Sequence, residues 1–314
     1  MSKLKIIDVK SELGAGTRGS SLGPAAIRVA AWNAGSSWFQ DKPVTEVPTL
    51  NERLHQASTT RFAKQVEGIA AMYQRIADTI AETISKEHLT LVLSGDHSSA
   101  GGTIAGIKKA FPQEKIGAIW IDAHADLHSP YTTPSGNVHG MPLAVSLSED
   151  NVQCQKNTPS EETIAHWNAL KNTGVDGPKI DPKHLAFVAV RDTETEEEAL
   201  MDRLNLPNHT VAQVREKGGT AIARQLLEQI ADCDNIYISF DVDSLDPEIS
   251  VGTGTPVPDG LLEKEVIDMI SELLQHPKVV CLEVVEVNPT LDQHCNAMAD
   301  AAFRIIKGSM RHLS

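Results

Sequence analysis

The chain has 314 residues, 41% of them hydrophobic, which is enough to bury a large core in one large domain or two small ones. Its formal net charge of −14 argues against a nucleic-acid partner and is compatible with a cationic substrate. The four cysteines show no C-x-x-C spacing, so we expect reduced thiols and a cytoplasmic protein. We expect no signal peptide and no membrane association, because no apolar run is long enough to span a bilayer.

Short apolar runs alternate with helical patterns along the chain. The first run, KLKIIDVK, predicts a strand, and after a glycine- and serine-rich loop Pro24 is well placed to begin a helix. A long helix is predicted from about Thr60 to Lys86, where apolar residues recur with helical spacing. The later predicted strands are LTLVLS, IGAIWID, HLAFVAV, NIYISFD and KVVCLEVVEV. Helical patterns separate most of them, as in GTAIARQLLEQIADC and EKEVIDMISELLQ.

This alternation predicts an α/β fold with three layers, in which a central, mostly parallel sheet lies between two layers of helices. Residues 1–314 show no low-complexity linker and no internal repeat, so we expect a single domain. The polar segment 149–181 contains Pro159, Gly174 and Pro178, and we expect it to form a surface excursion with a short helix.

Side chains that can bind metal follow three of the predicted strands. Ligands bind beyond the carboxyl ends of strands in an open parallel sheet, and residues two apart in extended backbone share a face. We therefore expect these side chains to converge on one point. They are His97, Asp122, His124, Asp126, Asp241 and Asp243.

Four aspartates buried together without a cation would repel one another and take up protons. The absence of a thiolate argues against a structural zinc site. Carboxylates with a minority of imidazole suit Mn²⁺, with Fe²⁺, Co²⁺ or Zn²⁺ as possible substitutes. One ion does not normally take six protein ligands and still keep a coordination position open. The set therefore favours two ions that share a carboxylate.

The sequence resembles the ureohydrolase family, which comprises arginases, agmatinases and related manganese amidinohydrolases. SGDHS resembles the family's GGDHS motif, DAHADLHSP its D-A-H-x-D motif, and SFDVDSLDP its S-F-D-x-D-x-x-D-P motif. The three motifs occur in the family's order. The resemblance runs from LGPAAIR to EVNP, and only the segment near 149–181 has no counterpart.

The resemblance implies two Mn²⁺ ions per chain and a shared ligand set. One ion would be held by His97, Asp122, Asp126 and Asp241, and the other by Asp122, His124, Asp241 and Asp243. It also implies that a hydroxide bridging the ions attacks the guanidinium carbon of the substrate. Asp126 would relay a proton to the leaving amine, and His139 would exchange protons with solvent.

The family's E-V-N-P motif assigns Glu286 to the substrate guanidinium. Glu283 lies three residues earlier, so its side chain should face the other side of the sheet, and we expect a surface or salt-bridged carboxylate. Thr255, in GTGTP, either lines the same pocket or is a turn residue.

The loop SPYTTPSGNVHG resembles the arginase segment that contacts the α-carboxylate of the substrate. It assigns Ser135 and Asn137 to that group, with Thr133 nearby, although S-G-N is also a good turn. His128 stands where arginases usually have Asn. Its imidazole either replaces the contact of that Asn with the α-carboxylate, weakens the contact or makes it sensitive to pH.

RDTETEE resembles the arginase segment for the α-amino group. This assigns Glu194 and Glu197 to that group and gives Asp192 a supporting role. The same acidic residues would also suit a helix N-terminus.

The sequence thus predicts an arginase-like enzyme that cleaves L-arginine to L-ornithine and urea. GTGTP resembles agmatinases, so agmatine, guanidinobutyrate or another guanidino compound remains an alternative substrate. A deacetylase-like enzyme with a single zinc ion would not need both His97 and His124. A non-enzymatic relative would be expected to lack ligands that are all present here. Relatives are commonly trimers or hexamers, so we expect a homo-oligomer.

Overall fold

The computed structural model describes residues 4–311, so the predicted start of the first strand at Lys3 lies outside the described residues. Eight strands are present in the described part of the chain. They are β1 Leu4–Val9, β2 Val44–Glu46, β3 Leu89–Ser94, β4 Ile116–Ile121, β5 Leu185–Val188, β6 Asn208–His209, β7 Asn235–Asp241 and β8 Val279–Val285.

Ten α-helices connect or flank these strands within residues 4–311. They are α1 Gly23–Asn33, α2 Val66–Thr83, α3 Ser99–Ala110, α4 Pro142–Leu147, α5 Glu161–Lys171, α6 Thr195–Leu204, α7 Val211–Lys217, α8 Gly219–Gln229, α9 Glu263–Leu273 and α10 Ala297–Ser309. None of them is long and apolar enough to cross a membrane.

The strands form one sheet in the order β2-β1-β3-β8-β7-β4-β5-β6, and every neighbouring pair is parallel. The predicted α/β fold is therefore confirmed. All six strands predicted from apolar runs are present. The additional strands, β2 and β6, are short and lie at the two edges of the sheet, where a strand needs little apolar sequence.

Side chains alternate between two cores on opposite faces of the sheet. In β4, Ile119 and Ile121 pack into the core formed with α1, α8, α9 and α10. Ala118 and Trp120 pack into the other core, formed with α2, α3, α4 and α5. Because both faces are covered, the central strands are apolar at nearly every position.

The long predicted helix begins six residues later than expected, at Val66. Gln65 has a left-handed backbone conformation with φ of 57°, which an α-helix cannot contain. The residues before it form turns, in which the Thr60 hydroxyl donates to the Ala63 carbonyl. Helix α2 buries its apolar stripe against α3 and the sheet, as the helical spacing of that segment predicts.

Helix α3 directly follows the SGDHS loop and packs closely on α2 through glycine. A Cβ atom at Gly101 would lie 2.3 Å from the Tyr73 hydroxyl, and one at Gly106 would lie 2.6 Å from Cβ of Ile80. No side chain fits at these points, so glycine sets the spacing between the helices. This contact fixes the position of the loop that carries His97.

Segment 149–181 contains the expected short helix, but that helix is firmly packed. Helix α5 lies against α2 and buries Trp167 and Leu170 completely. The Trp167 indole N–H and the Lys171 ammonium both donate to one carboxylate oxygen of Asp150 at 2.6 Å. The second half of the helix is thus tied to the start of the segment, and the buried side chains of Trp167 and Leu170 hold it against the core.

We expect Gly106→Ala to destabilise the protein by about 1–3 kcal/mol, because the new Cβ would overlap Ile80 and the Ala77 carbonyl. Gly308→Ala in α10 is the matched control. Its Cβ would meet only the Ile267 side chain at 3.1–3.3 Å, and alanine favours a helix interior by roughly 1 kcal/mol over glycine. Urea unfolding measures both variants. Equal unfolding midpoints for Gly106→Ala and the unmodified protein would contradict the proposed role of Gly106.

Candidate metal centre and substrate pocket

The four central strands deliver their carboxyl ends to a single pocket of about 250 Å³. Strands β3 and β4 are consecutive among the central strands in the chain but are separated in the sheet by β8 and β7. Such a switch in strand order opens a crevice at the carboxyl ends of a parallel sheet.

All but one of the side chains predicted for the site line this pocket. Those that line it are His97, His124, Asp126, His128, Thr133, Ser135, Asn137, His139, Asp192, Glu194, Glu197, Asp241, Asp243, Thr255 and Glu286. The remaining predicted ligand, Asp122, is buried directly beside His97.

Two groups of possible metal ligands share Asp122. His97 Nδ1 lies 3.0 Å from Asp122 Oδ2, 3.1 Å from Asp126 Oδ2 and 3.0 Å from Asp241 Oδ2. In the second group, His124 Nδ1 lies 3.0 Å from Asp243 Oδ2 and 3.5 Å from Asp122 Oδ1. The two oxygens of Asp122 therefore face different groups, as a carboxylate that bridges two ions would.

The donor atoms fit a metal centre. His97 Nδ1 and Asp122 Oδ2 are buried and make no hydrogen bond, although each lies about 3 Å from the other. Buried polar atoms without a partner are rare and costly in proteins. Atoms that converge without hydrogen-bond geometry are instead arranged like ligands around a common point.

The charges of the cluster call for a cation as well. Burial, and then the neighbouring carboxylates Asp243 and Asp122, raise the pKa of Asp241 well above its usual value. Burial and the Asp122 carboxylate likewise raise the pKa values of Asp126 and Asp243. Divalent cations would favour the ionised form of all these groups.

A turn recurs after β4 and β7 and aims the ligands. Asp122 Oδ1 accepts a hydrogen bond from the His124 backbone N–H at 2.7 Å, and Asp241 Oδ1 accepts one from the Asp243 N–H at 2.8 Å. Each carboxylate thus uses one oxygen to fix its own turn. The other oxygen, Oδ2, is left to face His97.

Two pocket residues have left-handed backbone conformations, which residues other than glycine rarely adopt. Asp126 has φ of 51° and Glu286 has φ of 65°. Each such conformation costs on the order of 1–3 kcal/mol and persists only where the surroundings enforce it. In Glu286 the backbone N–H donates to the Gly95 carbonyl, which fixes this residue beside the SGDHS loop.

Two residues that orient His97 were not identified from the sequence. The Ser239 hydroxyl lies 2.7 Å from His97 Nε2, and the Trp120 indole stacks on the imidazole at 4.1 Å between ring centroids. Ser239 and Trp120 each lie two residues before an aspartate ligand, so the alternation of strand faces could have identified both. They fix the imidazole so that Nδ1 points into the cluster.

His139 and Glu286 face each other on the other side of the pocket. Glu286 Oε1 lies 3.3 Å from His139 Nδ1 and accepts the backbone N–H of His97 at 2.9 Å. Burial opposes the charged imidazole, but Glu286 outweighs it and raises the pKa of His139 to about 9. A protonated His139 could therefore donate a proton at neutral pH.

The prediction for Glu283 is wrong. This carboxyl group is fully buried, because the opposite face of the sheet is also covered by helices. It accepts hydrogen bonds from the hydroxyls of Ser94 and Tyr237, the latter at 2.8 Å. Burial raises the pKa of Glu283, and no salt bridge involves it among the described residues.

His128 contacts the acidic residues at the start of α6. Its Nε2 lies 2.9 Å from Glu194 Oε2 and 3.5 Å from Glu197 Oε2, and its Nδ1 lies 3.1 Å from the Thr132 hydroxyl. The hydrogen bond from His128 lowers the pKa of Glu194 to about 2, whereas burial raises that of Glu197 to about 8. Glu197 Oε2 also accepts the backbone N–H of Glu194 at 3.3 Å at the start of α6, so the helix-terminus interpretation and the pocket assignment are compatible.

Neutral polar side chains also line the pocket, and one cation outside the lining contacts them. Asn137 Oδ1 accepts a hydrogen bond from the Lys64 ammonium at 3.0 Å, and Ser135 Oγ accepts the Asn137 N–H at 3.1 Å. Thr133 Oγ1 accepts the backbone N–H of Gly136, which shapes the loop. Nothing in the local sequence around Lys64 indicates this contact, because 73 residues separate Lys64 from Asn137.

The remaining two predicted residues border the second ligand group. The Thr255 hydroxyl donates to Asp243 Oδ2 at 3.2 Å, so Thr255 lines the pocket and also orients a ligand. Asp192 is largely exposed, and its Oδ2 lies 3.5 Å from His124 Nε2.

Segment 149–181 supports both loops at the pocket mouth. The Asn157 amide donates to the Thr133 carbonyl at 2.7 Å, and its backbone N–H donates to the Tyr131 carbonyl at 2.9 Å. The Asn151 amide donates to the Glu196 carbonyl at 2.8 Å. This excursion thus determines where the pocket loops lie, although it contributes no lining residue.

Comparisons with known proteins agree with the fold and the motifs. The model of the arginase family matches residues 2–310. The arginase of Bacillus caldovelox is 32% identical over 310 residues, covering 98% of this chain and 97% of that protein. The arginase of Bacillus subtilis is 30% identical over 306 residues, covering 97% and 96%.

Solved structures give the same result. The native structure of the Bacillus caldovelox arginase has a TM-score of 0.82 and 31% identity, covering 99% of this chain and 98% of that one. An Entamoeba histolytica arginase solved with L-ornithine has a TM-score of 0.82 at 24% identity, covering 98% of each chain, and shares the fold. The chain therefore belongs to the arginase family. It is an arginase-like hydrolase, as the three strand-end motifs predict.

We expect Glu283→Gln and Glu283→Ala to differ in stability. Glutamine keeps an oxygen acceptor for one of the two hydroxyls of Ser94 and Tyr237 and offers an amide N–H to the oxygen of the other, whereas alanine leaves both unpaired at about 1–3 kcal/mol for each buried group. Urea unfolding should therefore show a clear loss for Glu283→Ala and a smaller one for Glu283→Gln. A loss of equal size in both variants would argue against this role of the hydrogen bonds.

Proposed function

We propose that the protein hydrolyses the guanidinium group of L-arginine to L-ornithine and urea, using two Mn²⁺ ions per chain. The observation that carries this proposal is the distribution of charge along the pocket. Glu286 lies at the deep end and offers an anion to a guanidinium. The same pocket offers Glu194 to an ammonium, and Asn137, which accepts a hydrogen bond from the Lys64 ammonium, to a carboxylate.

The proposed metal ligands are the two groups around Asp122, with Asp241 as a second shared carboxylate. They comprise His97, Asp122, Asp126 and Asp241 for one ion, and Asp122, His124, Asp241 and Asp243 for the other. When bound, the ions would supply Lewis-acid activation of a water molecule at neutral pH. Carboxylate and imidazole donors without thiolate suit Mn²⁺.

The protein's own residues would then bind the substrate and move protons. The Glu286 carboxylate would orient the guanidinium, which is a planar donor that pairs well with a carboxylate. Asp126 borders both His97 and the open pocket, so it is placed to pass a proton to the leaving amine. His139, whose pKa is raised to about 9, would return protons from solvent.

A second candidate substrate is agmatine, which lacks the α-carboxylate of arginine. One observation favours it. His128 stands at the position expected to meet the α-carboxylate, but its Nε2 is directed at Glu194 at 2.9 Å. An imidazole held in this way offers no free donor to a carboxylate, so discrimination would depend on Ser135, Asn137 and Lys64.

We also propose that the chain works as a single domain in a cytoplasmic homo-oligomer, a trimer or a hexamer. The continuous sheet through the described residues supports the single domain. The resemblance to a family of oligomeric enzymes supports the assembly.

We expect Mn²⁺-loaded and desalted protein to retain two ions per chain, measured by elemental analysis. Asp122→Ala should lose both, because Asp122 faces both ligand groups, whereas Asp243→Ala should lose one. Asp268→Asn, a half-exposed aspartate on α9, is the control and should keep both. A content of one ion per chain, unaffected by Asp243→Ala, would contradict the two-ion centre.

We expect urea release from arginine to exceed that from agmatine and from guanidinobutyrate by several orders of magnitude in kcat/KM. Hydrogen bonds to a charged group are worth about 1.5–3 kcal/mol each, and agmatine would forfeit two or three of them. A coupled assay of urea measures all three substrates. Comparable values for arginine and agmatine would reject the arginase assignment and leave the hydrolase chemistry intact.

Two variants locate the source of this preference. Asn137→Ala should lower kcat/KM for arginine roughly 10- to 100-fold and leave agmatine nearly unchanged, because only arginine has a group to meet Asn137. His128→Asn should maintain or improve turnover of arginine. An equal loss for both substrates in Asn137→Ala would show that this residue shapes the loop and does not contact the carboxylate.

A further inference from the structure

A second cavity lies at the opposite edge of the sheet from the proposed active site. It has a volume of about 410 Å³ and borders Ile116, where β4 begins, and His184, which directly precedes β5. The proposed active site lies at the carboxyl ends of the same parallel strands. Since β4 has six residues at roughly 3.3 Å each, about 20 Å of strand separates the two cavities. We name the second cavity the amino-end pocket.

The amino-end pocket is cationic, although the chain as a whole has a net charge of −14. Four lysines line it, against a single acidic residue, Asp181, in the described part of the chain. A concave surface of one sign of charge concentrates ions of the opposite sign. The four lysines are Lys108, Lys115, Lys179 and Lys183.

Two of these lysines are paired with carboxylates. Lys115 Nζ lies 3.1 Å from Asp232 Oδ2, and Lys183 Nζ lies 3.9 Å from Asp181 Oδ2. Two carboxylates thus balance two ammonium groups. Any uncompensated charge of the pocket must come from the other two lysines.

Lys108 and Lys179 have no carboxylate within ion-pair distance among the described residues. The Lys108 ammonium donates to the Glu114 backbone carbonyl at 2.8 Å. The Lys179 ammonium donates to the backbone carbonyls of Gly177, at 2.7 Å, and of Lys171. Carbonyl oxygens are neutral, so both positive charges remain uncompensated. An ammonium has three N–H donors, so each group can also serve a further acceptor.

The burial of Lys179 distinguishes the amino-end pocket from a patch of surface lysines. This residue is only 3% exposed, which is rare for a lysine without an ion pair. Burial lowers the pKa of its ammonium to about 8, against the opposite effect of the nearby Asp176 carboxylate. A buried charge is costly unless it is paired, and an anion in the pocket would supply the missing partner.

The same region does not suit a metal ion. His184, Asp232 and Cys233 offer possible ligand atoms within 4.8 Å of one another. However, Asp232 Oδ2 also faces the ammonium groups of Lys115 and Lys183, at 3.1 and 3.9 Å. Burial raises the pKa of Cys233 to about 12, so its thiol stays protonated at neutral pH and is a poor ligand.

The rest of the lining is mainly apolar. It consists of two prolines and three aliphatic side chains, namely Pro178, Pro182, Ile116, Leu147 and Ile180. A volume of about 410 Å³ lies within the usual range for small-molecule sites, roughly 300–1,000 Å³. Ammonium groups beside an apolar wall favour an organic anion with a short hydrocarbon part.

We propose that the amino-end pocket binds a small organic dianion, either a dicarboxylate or a phosphate monoester, through Lys108 and Lys179. Two uncompensated ammonium groups match two negative charges, and the apolar wall receives the hydrocarbon part of the ligand. The inference does not depend on the proposed function, because the two pockets share no lining residue.

Isothermal titration calorimetry on the full, Mn²⁺-loaded chain tests this site with three probes. Succinate is a dicarboxylate, glycerol 3-phosphate is a phosphate monoester, and butyrate matches succinate in length but carries one charge. We expect a dianion to bind at the amino-end pocket once per chain and roughly tenfold or more tightly than butyrate, because butyrate leaves one ammonium unpaired. The tighter of the two dianions identifies the chemical class of the ligand.

Four variants locate the binding. Lys108→Gln and Lys179→Met each remove one uncompensated charge and should weaken dianion binding roughly tenfold or more. Asp181→Asn removes a repelling charge from the lining and should tighten binding, while asparagine can still accept the Lys183 backbone N–H that Asp181 accepts at 3.1 Å. Lys264→Gln is the matched control, because Lys264 is 83% exposed on α9 outside the pocket, and it should leave the affinity unchanged.

Failure of both dianions to bind would overturn the proposal, and so would affinities equal to that of butyrate. Dianion binding that is unchanged in Lys108→Gln, or weakened equally in Lys264→Gln, would place the ions elsewhere on the protein and overturn it too. Lys108 is only partly buried, so Lys108→Gln should fold and keeps the test decisive even if Lys179→Met does not. Urea release from arginine is measured separately, so a failed anion site does not bear on the proposed function.

Discussion

The repulsion among four buried carboxylates is the constraint on which the rest of this structure depends. Asp122, Asp126 and Asp241 lie about 3 Å from one imidazole nitrogen, and no described lysine or arginine neutralises these three carboxylates through an ion pair. A protein interior tolerates such a group only where cations complete it. The surrounding fold can therefore be understood as a rigid scaffold that holds these carboxylates in place to bind cations from outside the chain.

The scaffold is built from strand order, short turns and local backbone conformation. The sheet order brings strands that are distant in sequence side by side at its centre. Short turns use one oxygen of an aspartate to fix the direction of the other. Left-handed backbone at Asp126 and Glu286 stores local strain, which the parallel strands and the packed SGDHS loop maintain. Rigidity at these points preserves the geometry of the ligands.

The sequence was most informative where chemistry depends on spacing within a strand. Residues two apart share a face, so the ligands and their convergence could be predicted from three short motifs. Glu283 shows the limit of that argument, because the opposite face of a three-layer sheet is also buried and a carboxyl group there must be satisfied by hydroxyls. Lys64 and Asn137 meet although 73 residues separate them, so the sequence around either residue does not predict their contact. The glycine-rich sequence of α3 likewise does not predict a helix. Long-range packing decides both.

Segment 149–181 supports the loops at the pocket mouth but does not support the metal cluster. Its Asn157 and Asn151 hold the backbone of the loops that face the outer end of a substrate, without touching a ligand of the metal cluster. Sequence drift in this segment can shift those loops while the reactive centre stays intact. Changes at Asn157 and Asn151 would thus act on how the outer end of a substrate is met, whereas Trp167 and Leu170 of the same segment belong to the core and must stay apolar.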